Sequence, residues 1–344
     1  MKTVFGVLSA IAPASTVADL ARALGDDALV LVHHDWSQQP EFALQARNIE
    51  FVDDPVRTGW ANWGLTEAIF KLMETALARH DFDYFQLMTP ACMPIRPRSE
   101  LVAHLQRTHA DFHVDHLPLA TMPIVEMSHG YRALAAQNSL RYRMLWKARE
   151  WYFGRNPPTE NLSNLSFPTT SRIDLPGSAG MLARLGKRIT DLAGHPKAFW
   201  HPYSEDFRCH VGCSWFGASR AGCEYLLERR KNRSLMKYFS RISMPGEIMM
   251  PTLIANSGLR IAPSNHLLSR FEGARPRPFG LDDLPMLRDN QRFFARKFPE
   301  VHDAPIRVAV HEQLLVTRTA THHDDALDMA TPAHDAALEL ASLP

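Results

Sequence analysis

Residues 28–54, ALVLVHHDWSQQPEFALQARNIEFVDD, contain two short apolar runs that each end in polar side chains. ALVLVHHD (28–35) reads as a strand closing on His33, His34 and Asp35, and IEFVDD (49–54) as a second closing on Asp53 and Asp54. Apolar runs this short, rich in Val, Ile and Leu, suit buried strands. Upstream, VFGVL (4–8) reads as a strand and residues 16–25 as a helix. Downstream, GLTEAIFKLMETALAR (64–79) has apolar residues at helical spacing, and DYFQLM (83–88) is a strand followed by the turn TPACMP (89–94). RSELVAHLQ (98–106) is helical and DFHVDHLPL (111–119) is extended. This alternation predicts an α/β fold with a central, mostly parallel sheet flanked by helices. Ligands of such sheets bind beyond the C-terminal strand ends, which makes HHDWS (33–37) and TPACMP candidate site segments.

The rest of the chain is less regular. Residues 125–160 are rich in Arg, Tyr and Trp and read as one or two helices with a basic, aromatic face, either solvated or a surface for an acceptor. Clustered Asn, Pro, Ser and Thr at 155–180 predict a long loop. VGCSWFGAS (211–219) reads as a strand and RAGCEYLLERR (220–230) as a helix. Beyond residue 303 an Ala- and His-rich tail ends in the helical pattern DAALELASL.

Lys and Arg total 38 against 37 Asp and Glu, a net charge of +1, which gives no basic excess of the kind nucleic-acid binders carry. No export signal or membrane-length apolar run is visible, so the expected location is the cytoplasm. Cys92, Cys209, Cys213 and Cys223 fit free thiols there. Cys209 and Cys213 with His201 and His210 are an alternative zinc set, but their spacing is not a standard one.

Two segments carry the chemistry. SRISMPGEIMMPTLIANS (240–257) offers Glu247 in a Pro-Gly turn before an apolar helix, and FFARKF (293–298) sets Arg296 and Lys297 between aromatics. A carboxylate can take a proton from a hydroxyl, and fixed cations can hold an anionic leaving group. Together they are the least a protein needs to move a sugar off a nucleotide. By themselves the residues also fit plainer roles. Glu247 could simply favour a helix dipole, Arg275 and Arg277 could lie in a solvated loop, and Trp60 and Trp63 could be core.

Six segments in order resemble the core-2/I-branching β-1,6-N-acetylglucosaminyltransferase family, which includes the xylosyltransferases. They are HHDWS, FVDDPVRTGWANWGLTEAIFKLM (51–73), FDYFQLMTPACMPIRPRSEL (82–101), CSWFGASRAGCEYLL (213–227), SMPGEIMMPTLIANS (243–257) and FGLDDLPMLRDNQRFFARKF (279–298). The chain looks like a bacterial-type member. The resemblance implies a glycosyltransferase-A-like catalytic domain over 1–303, with a donor-binding half at about 1–120, an acceptor and catalytic half at about 121–303, and a partly helical tail at 304–344.

It also implies an inverting transfer, most simply of N-acetylglucosamine, from a UDP-sugar to a hydroxyl of a glycan or lipid-linked saccharide. No metal and no cofactor is implied; Asp81-Phe82-Asp83 precedes a strand and reads as a structural turn. By position, Glu247 would be the general base, Lys297 with Arg277 or Arg275 would hold the diphosphate, and Asp35 would contact the uridine. Arg57, Trp63 and, less directly, Asp54 and Trp60 would border the donor, with Ser214 and Trp215 at the acceptor. Thr89-Pro90-Ala91-Cys92-Met93-Pro94 replaces the family's Gly-Gln-Asp-Tyr-Pro, and Pro245-Gly246-Glu247 replaces Pro-Asp-Glu. An inactive nucleotide-sugar or glycan-binding homologue, or a transferase of another sugar such as xylose, is the alternative. The implied setting is surface polysaccharide synthesis at the inner face of the membrane.

Overall fold

The computed structural model describes residues 1–119, 132, 135–136, 138–155, 157, 159–162, 165–168, 181, 185, 201–272 and 275–316 of the 344-residue chain. In the first part, β1 (Thr3–Ser9), α1 (Ala14–Leu24), β2 (Leu29–His34), β3 (Ile49–Phe51), α2 (Trp63–Arg79), β4 (Tyr84–Met88), β5 (Cys92–Pro94), α3 (Arg98–Thr108) and β6 (Phe112–Pro118) follow one another. Next come α4 (Leu140–Phe153), β7 (Thr159–Leu162), β8 (Leu165–Pro168), β9 (His210–Ser219), α5 (Arg220–Arg230), α6 (Arg233–Phe239) and α7 (Pro245–Ala255). The last are β10 (Ile261–Ala262), β11 (Leu267–Ser269), β12 (Phe271–Glu272), β13 (Arg275–Pro276), α8 (Leu284–Asp289), β14 (Phe294–Arg296) and α9 (Pro305–Val310), with a further helical turn over His311–Val316. Among the described residues no helix is long and apolar enough to cross a membrane.

Seven strands form the main sheet in the order β10-β6-β9-β4-β1-β2-β3. The pairs β1–β2, β1–β4, β2–β3 and β6–β10 are parallel, and β9 runs antiparallel to both its neighbours, β4 and β6. The sheet is thus mostly parallel, as predicted. Alternation along each strand sends side chains to opposite faces. Val4, Leu31, Phe85, Leu87, Phe112 and Val114 meet α2 and α7 on one face, and Phe5, Val7, Val30, Val32 and Met88 meet α1 and α3 on the other. Each such fully buried side chain contributes about 1.5–3 kcal/mol of transfer free energy.

Local sequence explains the helix starts. Asn62 accepts a hydrogen bond from the Leu65 amide at 3.2 Å, Ser139 from Tyr142 at 3.1 Å and Ser219 from Gly222 at 3.1 Å, each side chain satisfying an amide that the helix cannot. Helix α7 begins with Pro245 at its first position, where a missing N–H costs nothing. It is pinned to β9 by Thr252, whose hydroxyl accepts from the His210 amide at 3.0 Å and donates to the His210 carbonyl at 3.2 Å.

Three expectations change. The stretch 155–180 is not simply a loop: β7 and β8 pair antiparallel from Thr159↔Pro168 to Leu162↔Leu165. The clustered polar residues made the whole stretch look like a loop in the sequence. TPACMP is more than a turn, because Cys92–Pro94 forms β5 and joins β14 and β11 in a second, three-stranded sheet. The tail drawn from residue 304 begins with core residues. Ile306, Ala309, Val310 and Leu314 pack with Met93, Ile95, Phe279 and Phe298. The pattern DAALELASL lies outside the described residues, as do most of 120–137 and 169–200.

Asp81-Phe82-Asp83 anchors the start of the chain. Asp83 accepts from the Lys2 amide at 2.6 Å and Asp81 pairs with the Lys2 ammonium at 3.2 Å.

Candidate active site

The loop after β2 is built around Asp35, which is only 2% exposed. Its Oδ1 accepts from the Ser37 amide at 3.0 Å and hydroxyl at 2.6 Å. Its Oδ2 accepts from Gln38 Nε2 at 2.7 Å and from the Thr58 amide at 2.6 Å and hydroxyl at 2.9 Å. Burial alone would raise the carboxyl's pKa, but these donors from Ser37, Gln38 and Thr58 hold it well below the ordinary range. Asp35 therefore ties the β2 loop to the loop entering α2. Beside it, His33 Nε2 accepts from the Val56 amide at 2.9 Å, and burial lowers the imidazole pKa to about 4.

Arg57 is exposed, and its carbonyl lies 2.1 Å from where a Cβ on Gly64 would stand, so only glycine lets the loop close onto α2. Trp63 is half-buried against the core below α2, whereas Trp60 is 78% exposed and Asp54 is exposed.

Glu247 lies in the first turn of α7, its side chain 37% exposed. Its Oε2 accepts a charge-assisted hydrogen bond from the Arg132 guanidinium. Its Oε1 makes no hydrogen bond among the described residues and is available to a hydroxyl. A Cβ on the neighbouring Gly246 would stand 2.8 Å from Ser214 Oγ and 3.7 Å from Thr66 Oγ1. Any side chain at 246 would therefore press on the Ser214 hydroxyl. The same contact brings β9, α2 and α7 together at one point.

The cations arrive on β14. The Arg296 guanidinium carbon lies 5.1 Å from the centre of the Trp215 ring, a cation–π contact. Strand register places Arg296 opposite Cys92 of β5. Both Glu247 and Arg296 lie close enough to Cys213 to act on its thiol. Burial pushes its thiol up to about 12, Asp115 and Glu247 add to the rise, and Arg296 opposes it. Lys297 is half-buried, and among the described residues its ammonium has no ion-pair partner. Its carbonyl accepts from the Phe279 amide at 2.8 Å, which draws the 275–280 segment alongside.

In that segment Arg277 makes a two-toothed pair with buried Asp283, at 2.7 and 2.8 Å, and Arg270 binds the same carboxylate. Arg275 is exposed on β13. The structure thus gathers Glu247, Ser214, Trp215 and Arg296, sets Lys297 next to Arg296 along the chain, commits Arg277 to Asp283, and leaves Arg275 in solvent. Asp35, Arg57 and Trp63 cluster at the entrance to α2.

Sequence reasoning missed Arg132 and Asp283. Arg132 falls in a stretch that matched no motif, and Asp283 sat unmarked within FGLDDLPML.

Residues 29–151 match the family model described as Core-2/I-Branching enzyme. No curated protein matches the chain. Solved structures similar to it include the apo crystal structure of mouse xyloside xylosyltransferase 1, 8% identical, with a TM-score of 0.29, covering 74% of this chain and 82% of that one. A superposition that loose carries no argument of its own. The matched stretch takes in the first three of the six motifs, and the observed α/β sheet flanked by helices is the architecture expected from them.

Proposed function

We propose, for a chain that is a glycosyltransferase of the core-2/I-branching family, an inverting transfer of a sugar from a UDP-sugar to a hydroxyl of a glycan acceptor. N-acetylglucosamine is the first donor sugar to test. In a single displacement the acceptor hydroxyl attacks the anomeric carbon as the diphosphate leaves from the opposite face. Glu247 Oε1 takes the hydroxyl proton while Arg132 fixes Oε2. Negative charge grows on the leaving diphosphate, and Lys297 stabilises it, with Arg296 held against Trp215 behind it. No metal is assigned to this step. Ser214 and Trp215 line the acceptor side, and the Asp35 loop with Trp63 carries the nucleoside side. We place the enzyme in the cytoplasm, acting on saccharide acceptors at the inner face of a membrane.

The observation that carries this reading is that Glu247, in the first turn of α7, and Arg296, at the end of β14, both act on the same residue, Cys213, with Arg296 set over Trp215. A turnover screen across UDP-sugars, without metal and then with chelator, tests it. Glu247→Gln should lower kcat by about 10²–10⁴ and leave donor binding intact. Unchanged turnover in that variant would remove Glu247 from the mechanism. Stimulation of turnover by added Mg²⁺ or Mn²⁺, or loss of wild-type activity with chelator at unchanged Tm, would refute metal independence. Donor binding without any turnover would favour the inactive homologue.

A further inference from the structure

His104 of α3, His113 of β6 and His266, just before β11, converge on the sheet face away from α2 and α7. One ring nitrogen from each lies within 4.8 Å of the other two. The rings of His113 and His266 are 4.2 Å apart, and those of His104 and His266 5.2 Å. His113 is 0% and His266 2% exposed, while His104 is half-buried. Among the described residues neither ring nitrogen of His113 has a hydrogen-bond partner, nor does Nε2 of His266. Leaving buried polar atoms unsatisfied is costly. A ring nitrogen of His113 and Nε2 of His266 thus lack a partner where three histidines meet, and a shared ligand would satisfy both.

We propose that His104, His113 and His266 form a site for a late first-row divalent cation, with zinc as the type case. Imidazole nitrogens are borderline-soft donors suited to zinc, copper, nickel and cobalt. Zinc–nitrogen bonds of about 2.0–2.1 Å place tetrahedral ligands about 3.3 Å apart, so the rings must draw together slightly, and the less buried His104 can supply that movement.

Arg292 opposes a cation here, but its guanidinium is drawn off by Ser264 at 2.7 Å and Asp115 at 3.6 Å. The site's residues are not those assigned to sugar transfer. Bound there, a cation would join α3, β6 and the β11 lead-in, and its role would be structural. A zinc set from Cys209, Cys213, His201 and His210 has no such geometry: among the described residues the three-histidine group is the one that meets metal-ligand spacing.

The test uses the full chain without an affinity tag, stripped with chelator and titrated with Zn²⁺ or Co²⁺ alone. Elemental analysis after dialysis should give about one equivalent per chain, with ligand-field bands of the Co²⁺ form and a rise in Tm on Zn²⁺ addition. His104→Gln, at a position exposed enough to spare the fold, should weaken binding at least tenfold, and His210→Gln should leave it unchanged. Substoichiometric metal in the wild type would overturn the site. So would loss of metal in His210→Gln with retention in His104→Gln.

Discussion

Gly246 lies so close to Ser214 that a Cβ on the glycine would stand 2.8 Å from the serine Oγ and 3.4 Å from its Cβ. Oγ is the obstacle; the second distance is an ordinary contact. Gly246→Ala should therefore destabilise the protein by about 1–3 kcal/mol despite the better helix propensity of alanine. Adding Ser214→Ala should recover most of that loss. Denaturant unfolding of the two single variants and the double variant measures the coupling, and additive effects would mean that the serine is not the obstacle.

Lys297 and Arg277 should separate in their effects. Lys297→Ala should lower kcat/KM by about 10²–10³ with little change in Tm. Arg277 is committed to Asp283, so Arg277→Ala should mainly lower Tm and alter kcat/KM by no more than about tenfold. The reverse pattern would assign the diphosphate to Arg277.

Asp19 and Arg307, 1% and 0% exposed, form a buried pair at 2.8 Å that joins α1 to α9. Removing the carboxylate in Asp19→Ala should cost about 3–5 kcal/mol, because a buried guanidinium is left uncompensated. Burial would raise the pKa of Asp19, but His311, Arg307 and Arg22 overcome it and hold the carboxyl far below its ordinary 3.8. A depressed folded pKa gives stability that is complete above the ordinary value and is lost as pH falls below it. Stability should therefore drop more steeply below about pH 4 in the wild type than in Asp19→Asn, as read by urea midpoints across the acid range.

All four cysteines are free, and burial raises each thiol, Cys209 and Cys213 to about 12. Since the thiolate is the reactive form, the native protein should react slowly with a disulfide reagent at pH 8. Four thiols should titrate once it is unfolded. Rapid release of one equivalent from the native state would show a thiol more accessible than its burial implies.

Much of the fold was legible because short-range pattern and burial agree. The helix read over 64–79 is Trp63–Arg79, and the strand read over 83–88 is Tyr84–Met88. The reversed direction of β9 was not legible, since VGCSWFGAS carries no mark of which strands will flank it. Glu247 and Lys297 could be singled out because they sit in motifs. That Arg277 would be captured by Asp283, and that Arg132 would hold Glu247, depends on contacts across loops with no periodic signal. The three histidines were read only as parts of ordinary helix, strand and loop, since 153 residues separate His113 from His266 and only the folded sheet brings them together.

The position of β9 has a consequence for how the enzyme is made. The strand slots between β4 and β6, both complete in the chain some ninety residues before it begins. Until residue 219 has been synthesised, β4 and β6 each have a bare edge, the kind of surface that recruits other chains. Ser214 and Trp215 ride on the strand that closes this gap. The acceptor side proposed for Ser214 and Trp215 and protection from self-association would therefore be acquired in one late, long-range step, and a shortened product ending before β9 should be both inert and prone to aggregate.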